Sequence, residues 1–230
     1  MTKLRKLGKE SHRRTFIRHG APAETTFGVP IADLKPIQKA VGKDHRLALD
    51  LFATGNSDAM YLAGLVADEA RMTRTDLNRW AREATWSMIS TCTVAWVAAE
   101  SPHAMALATK WIDARRERVA ATGWSTLSSH AGITPDDGMD LSLFEDLLER
   151  VVAEIHDERN EVKDTMNRFV IAVGCFVAPL KSKALKAAKT IGSVDVDQGD
   201  TSCKTPDAAE YIRKVASMGR TGKKRKSARC

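Results

Sequence analysis

Apolar residues recur at intervals of three and four along almost the whole chain, and this spacing constrains the fold more than any other feature. Residues three and four positions apart share one face of an α-helix, so the pattern predicts a succession of amphipathic helices. No segment shows a convincing alternation of apolar and polar residues, the pattern typical of a half-buried strand. The sequence therefore predicts an all-α fold.

Eleven helices are predicted, separated by glycines that favour helix ends and by caps such as Thr73 with Asp76. They span residues 34–41, 45–53, 58–68, 74–83, 86–100, 103–115, 118–129, 141–157, 161–177, 180–191 and 206–218. Helices this short with short connections bury their apolar stripes by stacking as antiparallel pairs. The spacing predicts an α-solenoid or an irregular bundle, and no strict internal period separates the two.

The positive charge is concentrated at the two ends of the chain. The formal net charge is +7, but residues 1–14 carry +5 and residues 219–230 carry +6, which leaves −4 for the middle. Lysines and arginines in such ends can hold phosphate backbones without reading sequence, or only aid solubility. We expect disordered basic tails at 1–14 and 219–230, flanking one domain over 15–218.

Several enzyme classes lack their residues in this sequence. The motifs GxxxxGK[ST], HExxH and GxSxG are absent, which excludes the usual sites for nucleotide hydrolysis, zinc proteolysis and serine hydrolysis. The four cysteines are far apart, and the DVDQGD run lacks the glycine and closing glutamate of a calcium loop. We expect no metal and no cofactor. The sequence shows neither a signal peptide nor an apolar run of about 18 residues, which predicts a cytoplasmic protein.

Five tryptophans fall within 45 positions, and one of them differs from the rest. Aromatic residues at helical spacing are usually core, and we expect this for Trp96, Trp111 and Trp124. Trp86 has Ser90 one turn further along the same helix face. A polar side chain beside an indole is typical of a small cleft, whereas a core favours leucine or alanine.

Four segments together resemble the DNA alkylation repair family, whose proteins are built from HEAT-like helix pairs. The four segments contain the sequences FGVPIADLKPIQ, MTRTDLNRWARE, NEVKDTMNRFVIAVG and VDVDQGDTSCKTPDAAEYI. The resemblance covers roughly residues 16–215. It implies a superhelical arc of stacked antiparallel pairs whose concave face binds duplex DNA. It also implies a DNA glycosylase that releases N3- or N7-alkylated purines. In such a site an indole would hold the cationic base, and a carboxylate would stabilise the developing sugar cation.

The sequence departs from the family at the residues that would perform this chemistry. The family pattern resembles Trp-Asp-x-x-Asp, and this chain has Trp86, Ser87 and Ser90 at those positions. A DNA-facing arginine or arginine pair of the family falls at Ala120 and Ala121, or, with a shift of register, among Arg115, Arg116 and Arg118 just upstream. Loss of one electrostatic group typically slows a reaction by about 100- to 1000-fold. Trp86 and Ser90 are therefore candidate catalytic positions with weak or altered activity, unless Asp113 or Glu83 supplies a substitute carboxylate.

Five basic residues and one asparagine are the candidate DNA contacts, although such residues also occur on solvated faces. They are Arg115, Arg116 and Arg118 at a helix junction, and Lys163, Asn167 and Arg168 further along the chain. The favoured hypothesis is a DNA-repair protein that recognises damaged, possibly alkylated, duplex DNA. The alternative is a non-catalytic helical scaffold that binds a protein partner on its concave surface.

Overall fold

A computed structural model describes residues 1–229, which contain thirteen α-helices and no strand. They are α1 Thr2–Leu7, α2 Glu10–Arg18, α3 Ile31–Val41, α4 His45–Ala53, α5 Ser57–Val66, α6 Arg74–Glu83, α7 Ala95–Glu100, α8 Ala104–Trp111, α9 Glu117–Ile133, α10 Leu141–Glu154, α11 Asn160–Phe176, α12 Lys181–Ile191 and α13 Ala208–Ser217. A π-helical segment, Met88–Val94, leads directly into α7. The predicted all-α class is confirmed.

The helices pack as successive antiparallel pairs, which confirms the predicted stacked architecture. Each pair joins an outer helix to an inner one, in the order α4 with α5, α6 with the π segment and α7, α8 with α9, α10 with α11, and α12 with α13. The inner members contact one another in sequence, and we call them the inner row. Each pair buries its apolar stripe against its neighbours, as expected for a stacked repeat fold.

The inner helices run in the same direction, so their ends form two edges. Arg118 at the start of α9 contacts the backbone of Thr85, just before the π segment, and the side chain of Glu161 at the start of α11. At the other ends, the final residues of the chain contact Ala67 after α5, Glu100 in α7 and Gly132 in α9. We call these the amino-terminal and the carboxyl-terminal edge.

The core forms two adjoining clusters that both include residues of α8 and α9. Trp80 stacks on Phe52 with ring centroids 4.1 Å apart in the first cluster, and Trp124 meets Phe169 edge-on in the second. Trp96, Trp111 and Trp124 are all buried, which confirms the prediction that they are core residues.

Residues 1–14 do not form the disordered tail that their charge predicts. They belong to α1 and α2, and Leu4 is buried against the core. Arg13 donates to the carbonyls of Thr26 and Ala23, while the buried Asp58 carboxylate accepts three backbone N–H groups of residues 27–29. Charge alone predicted disorder wrongly because the apolar residues between the cations were enough to dock both helices.

Residues 219–229 also differ from the expected disordered tail. They form a strap along the carboxyl-terminal edge, where the helix dipoles leave negative partial charge on the last carbonyls. Lys224 binds the carbonyl of Ala131 at 3.0 Å and the carboxylate of Asp136 at 2.7 Å. The basic sequence binds here because its cations meet both carbonyls and carboxylates.

Local sequence signals predicted some helix ends correctly and missed others by a few residues. The capping box of Thr73 and Asp76 is present at the start of α6, as predicted. The last helix begins at Ala208 with Asp207 as its cap, two residues later than predicted. Gly132 lies inside the last turn of α9, where a Cβ would come within 2.7 Å of the Arg225 guanidinium.

Among residues 1–229, no helix is long and apolar enough to cross a membrane.

Candidate nucleic-acid interface

Trp86 lies at the amino-terminal edge, but it does not line an open cleft. The side chain is 3% exposed, and the ring of Phe16 from α2 covers it with centroids 5.7 Å apart. The cavity beside the indole has a volume of about 10 Å³, space for about one water molecule. No hydrogen-bond partner for the indole Nε1 is found among the described residues. A purine base cannot enter this space without displacement of α2.

Ser90 faces the interior of its own helix and not a cavity. It is fully buried, and its hydroxyl donates to the carbonyl of Ser87 at 3.0 Å. Thr91 donates to the same carbonyl at 2.8 Å. Such hydroxyl bonds to preceding carbonyls occupy groups that the wide π-helical turn leaves poorly paired. The two candidate catalytic positions, Trp86 and Ser90, are therefore both out of reach of a bound base.

Arg118 links the starts of three inner helices. Its Nη1 donates to the carbonyl of Thr85 at 3.0 Å, and its Nη2 donates to Glu161 at 3.2 Å. The backbone N–H of Glu161 in turn donates to the carboxylate of Glu117 at 2.7 Å. The Arg118 guanidinium thus fixes the relative positions of the helix starts, and its charge is partly neutralised by Glu161.

Arg115 and Arg116 are exposed in the short loop that precedes α9. Arg159, directly before α11, donates from Nη1 to the carbonyls of Ala114 at 3.1 Å and Arg115 at 2.8 Å. This bridge holds the loop in place, so the two exposed guanidinium groups sit on a fixed backbone next to the start of α9. The sequence reasoning missed Arg159, whose only local signal is a basic residue just before a helix.

The three candidates on α11 have different environments. Arg168 has a side chain 58% exposed and pairs with Asp164 at 2.7 Å, and Lys163 is half-buried beside it. Asn167 is fully buried and donates to the carbonyl of Pro206 at 2.9 Å, which anchors the loop before α13. Lys163 is available to a phosphate and Arg168 would have to share its guanidinium with Asp164, whereas the Asn167 side chain is already engaged inside the protein.

The positions considered for the missing charges do not restore them. Ala120 and Ala121 are fully buried in α9, so neither could place an arginine on the surface in this packing. Asp113 binds Arg150 of the outer helix α10 at 2.7 Å. Glu83 is exposed at the end of α6. Neither carboxylate lines the small cavity beside Trp86.

These features define the chain as a HEAT-like helical-repeat protein with exposed arginines at the starts of its inner helices. The family model for DNA alkylation repair enzyme matches residues 1–212. The chain belongs to the DNA alkylation repair family.

Two relatives and one solved structure extend this similarity. An uncharacterised protein of Listeria innocua serovar 6a is 34% identical over 219 residues, 93% of this chain and 94% of its own length. A second, from Listeria monocytogenes serovar 1/2a, is 33% identical with the same coverage. The solved structure is 38% identical in sequence and matches with a TM-score of 0.93. The match covers 100% of this chain and 97% of the chain in that structure. That structure represents a new family of proteins related to the HEAT-like repeat DNA glycosylases with affinity for branched DNA structures.

Proposed function

We propose that this protein binds DNA at the amino-terminal edge of its inner row, prefers branched DNA to linear duplex, and does not excise bases. The observation that carries the proposal is the contrast within one edge. The aromatic residue that would hold a base is covered by Phe16, while Arg115 and Arg116 are exposed on a braced loop.

The charged groups of this edge are suited to phosphates. The starts of α9 and α11 carry positive partial charge from their helix dipoles, which attracts anions, and the N–H of Glu161 there already donates to the Glu117 carboxylate. Arg115 and Arg116 extend this positive region, with Lys163 and Arg168 on the next helix. Contacts of this kind position a DNA backbone without reading its bases.

The same edge lacks the parts required for base excision. A glycosylase must hold the extruded base and stabilise positive charge on the sugar. Trp86 and Ser90 are buried, and the nearby carboxylates Glu161 and Asp164 are paired with Arg118 and Arg168. Among the described residues, the carboxylate that lines the small cavity beside Trp86 is Asp58, and it already accepts three backbone N–H groups.

The preference for branched DNA is supported by the similarity to the solved protein. That protein belongs to a family with affinity for branched DNA, and the resemblance extends over the full length of this chain at 38% identity. A protein that grips backbones but extrudes no base is suited to recognise the shape of DNA and not a lesion within it.

The test is a pair of binding titrations against a four-way junction and a linear duplex of the same arm sequence, repeated over a range of salt. The variant is Arg115→Ser with Arg116→Ser, and the matched control is Lys186→Ser with Lys189→Ser on α12, also two exposed cations. We expect the arginine variant to reduce the salt slope of binding by about 2, since each phosphate contact contributes about 0.9. The control leaves the slope unchanged.

Two results would contradict the proposal. Equal affinity of the native protein for junction and duplex would remove the preference for branches. Salt-independent or undetectable binding to both DNAs would remove DNA binding altogether and favour the helical scaffold that binds a protein.

A further inference from the structure

A broad groove lies at the carboxyl-terminal edge, between α3 and the strap of residues 219–229. Its volume is about 1130 Å³, above the range of about 300 to 1,000 Å³ typical of small-molecule pockets. Five basic side chains and two carboxylates line it, which gives three net positive charges. The basic residues are Lys35, Lys39, Lys43, Lys226 and Arg229, and the acidic residues are Glu69 and Glu100.

Both carboxylates of the groove are already bound by its own cations. Arg229 contacts Glu69 at 2.7 Å and Glu100 at 2.9 Å, and Lys43 forms a further ion pair with Glu69. The exposed positive charge of the groove therefore comes chiefly from Lys39 on α3 and Lys226 on the strap. Each of the two elements that line the groove therefore contributes one of these lysines.

The backbone around Lys226 is fixed on both sides. The N–H of Arg225 donates to the carbonyl of Gly132 at 2.8 Å, and the N–H of Ala228 donates to Glu100 at 2.7 Å. Ala228 is 1% exposed, so the strap is seated in the edge and does not merely lie across it. A cation on such a fixed segment loses less freedom on binding a ligand than one on a disordered tail.

The groove is far from the amino-terminal edge. The helix α9 joins the two edges and has 17 residues, which corresponds to about 25 Å at 1.5 Å per residue. A linear duplex lying on the amino-terminal edge continues along one axis. A junction directs its arms along different axes, so it can supply phosphates at both edges at once.

We infer that this groove is a second DNA-binding site, which takes the backbone of another arm of a branched DNA. The inference rests on the proposed function, since it requires the first arm to bind at the amino-terminal edge. Lys39 and Lys226 contact phosphates there, and Lys35 adds to the positive charge of the wall. Because the second contact is made within one complex, it raises affinity for junctions without changing affinity for linear duplex.

The test uses the full chain with Lys39→Gln and Lys226→Gln combined, and Lys186→Gln with Lys189→Gln on α12 as the control. Binding of a four-way junction and of a linear duplex with the same arm sequence is measured over a range of salt. We expect the groove variant to bind the junction more weakly, with a salt slope lower by about 2. Its affinity for the linear duplex stays within about twofold of the native value. The single variants Lys39→Gln and Lys226→Gln each lower the slope by about 1.

The outcomes separate this inference from the proposed function. A native preference for the junction that is unchanged in the groove variant overturns the inference and leaves the proposed function standing. An equal loss of affinity for junction and duplex also overturns it, since the groove would then serve any DNA. If the native chain shows no preference for the junction, the proposed function fails and the inference fails with it. Both lysines are exposed, and a thermal melt verifies that the variants are folded.

Discussion

Replacement of Arg229 by alanine should weaken the attachment of the strap to the carboxyl-terminal edge. The guanidinium donates from Nη2 to Glu69 at 2.7 Å and from Nη1 to the carbonyl of Ala67 at 2.9 Å, and its Nε lies 2.9 Å from Glu100. The Arg229 side chain is 8% exposed, and its two carboxylate partners are 17% and 15% exposed. In the alanine variant both carboxylates would stay largely buried, and their negative charges would lose the positive charge of Arg229.

The size of the effect follows from this burial. Removal of one partner from a buried ion pair costs about 3 to 5 kcal/mol, and the slight exposure here favours the lower value of about 3 kcal/mol. For a chain of this size, 1 kcal/mol shifts Tm by about 2 to 4 °C, so we expect Tm to fall by roughly 6 to 12 °C. Lys226→Ala on the same strap is the control, and as a change at an exposed position it should stay within about 0.5 kcal/mol.

Thermal unfolding followed by circular dichroism measures both variants, and its pH dependence adds a second readout. Burial raises the pKa of Glu69, but the hydrogen bond from Lys43 and the charge of Arg229 outweigh it and hold the pKa below 4.5. The stability that Glu69 contributes is therefore present above pH 4.5 and is lost as pH falls through its folded-state pKa. The difference in Tm between the native protein and Arg229→Ala should therefore become smaller at acidic pH. A Tm change no larger than that of Lys226→Ala would refute the reasoning.

Three further predictions concern buried groups. Ser90→Asp should lower Tm, because the new carboxylate would be buried without a partner. It should also produce no base release from an alkylated duplex. Base release by this variant would show that position 90 faces a working cleft. Burial lowers the pKa of His130 below 6.5 and the charge of Lys224 acts in the same direction, against a hydrogen bond to Ala99 that raises it. The stability that neutral His130 contributes is therefore present above pH 6.5 and is lost as pH falls through its folded-state pKa. His130→Gln should make the free energy of unfolding in urea depend less on pH between about pH 7 and 5. An unchanged pH dependence would mean that other groups cause it. Burial raises the pKa of the Cys175 thiol to about 11, so at pH 8 a thiol reagent should modify the exposed Cys203 first; equal rates would contradict the burial of Cys175.

The helical fold could be predicted from the sequence because its signals are local. The three-and-four spacing placed the helix pairs, and the capping box of Thr73 and Asp76 set the start of α6. The two ends of the chain could not be predicted from charge. Their order depends on partners far away in sequence, such as Arg229 with Glu69 and the α2 helix with the buried Asp58 network.

The candidate site was predicted only in part, for the same reason. Spacing placed Trp86 and Ser90 on the same helix, but it gave no indication that Phe16, 70 residues earlier, covers the indole. The π-helical turn also rotates Ser90 toward its own backbone, and helical periodicity assumes that no such turn occurs. The exposure of Arg115 and Arg116 could be predicted because a cluster of cations at a helix junction is visible in the sequence, and their contact with DNA stays a prediction.

The most direct measurement places one 7-methylguanine in one arm of a four-way junction and in a linear duplex of the same sequence. Complex formation and base release are followed on the same samples of the native protein. We expect tighter binding to the junction, with base release at the spontaneous rate from both DNAs. Release above the spontaneous rate that is lost in Trp86→Phe, or equal binding to the two DNAs, would contradict a protein that recognises branched DNA without excising bases.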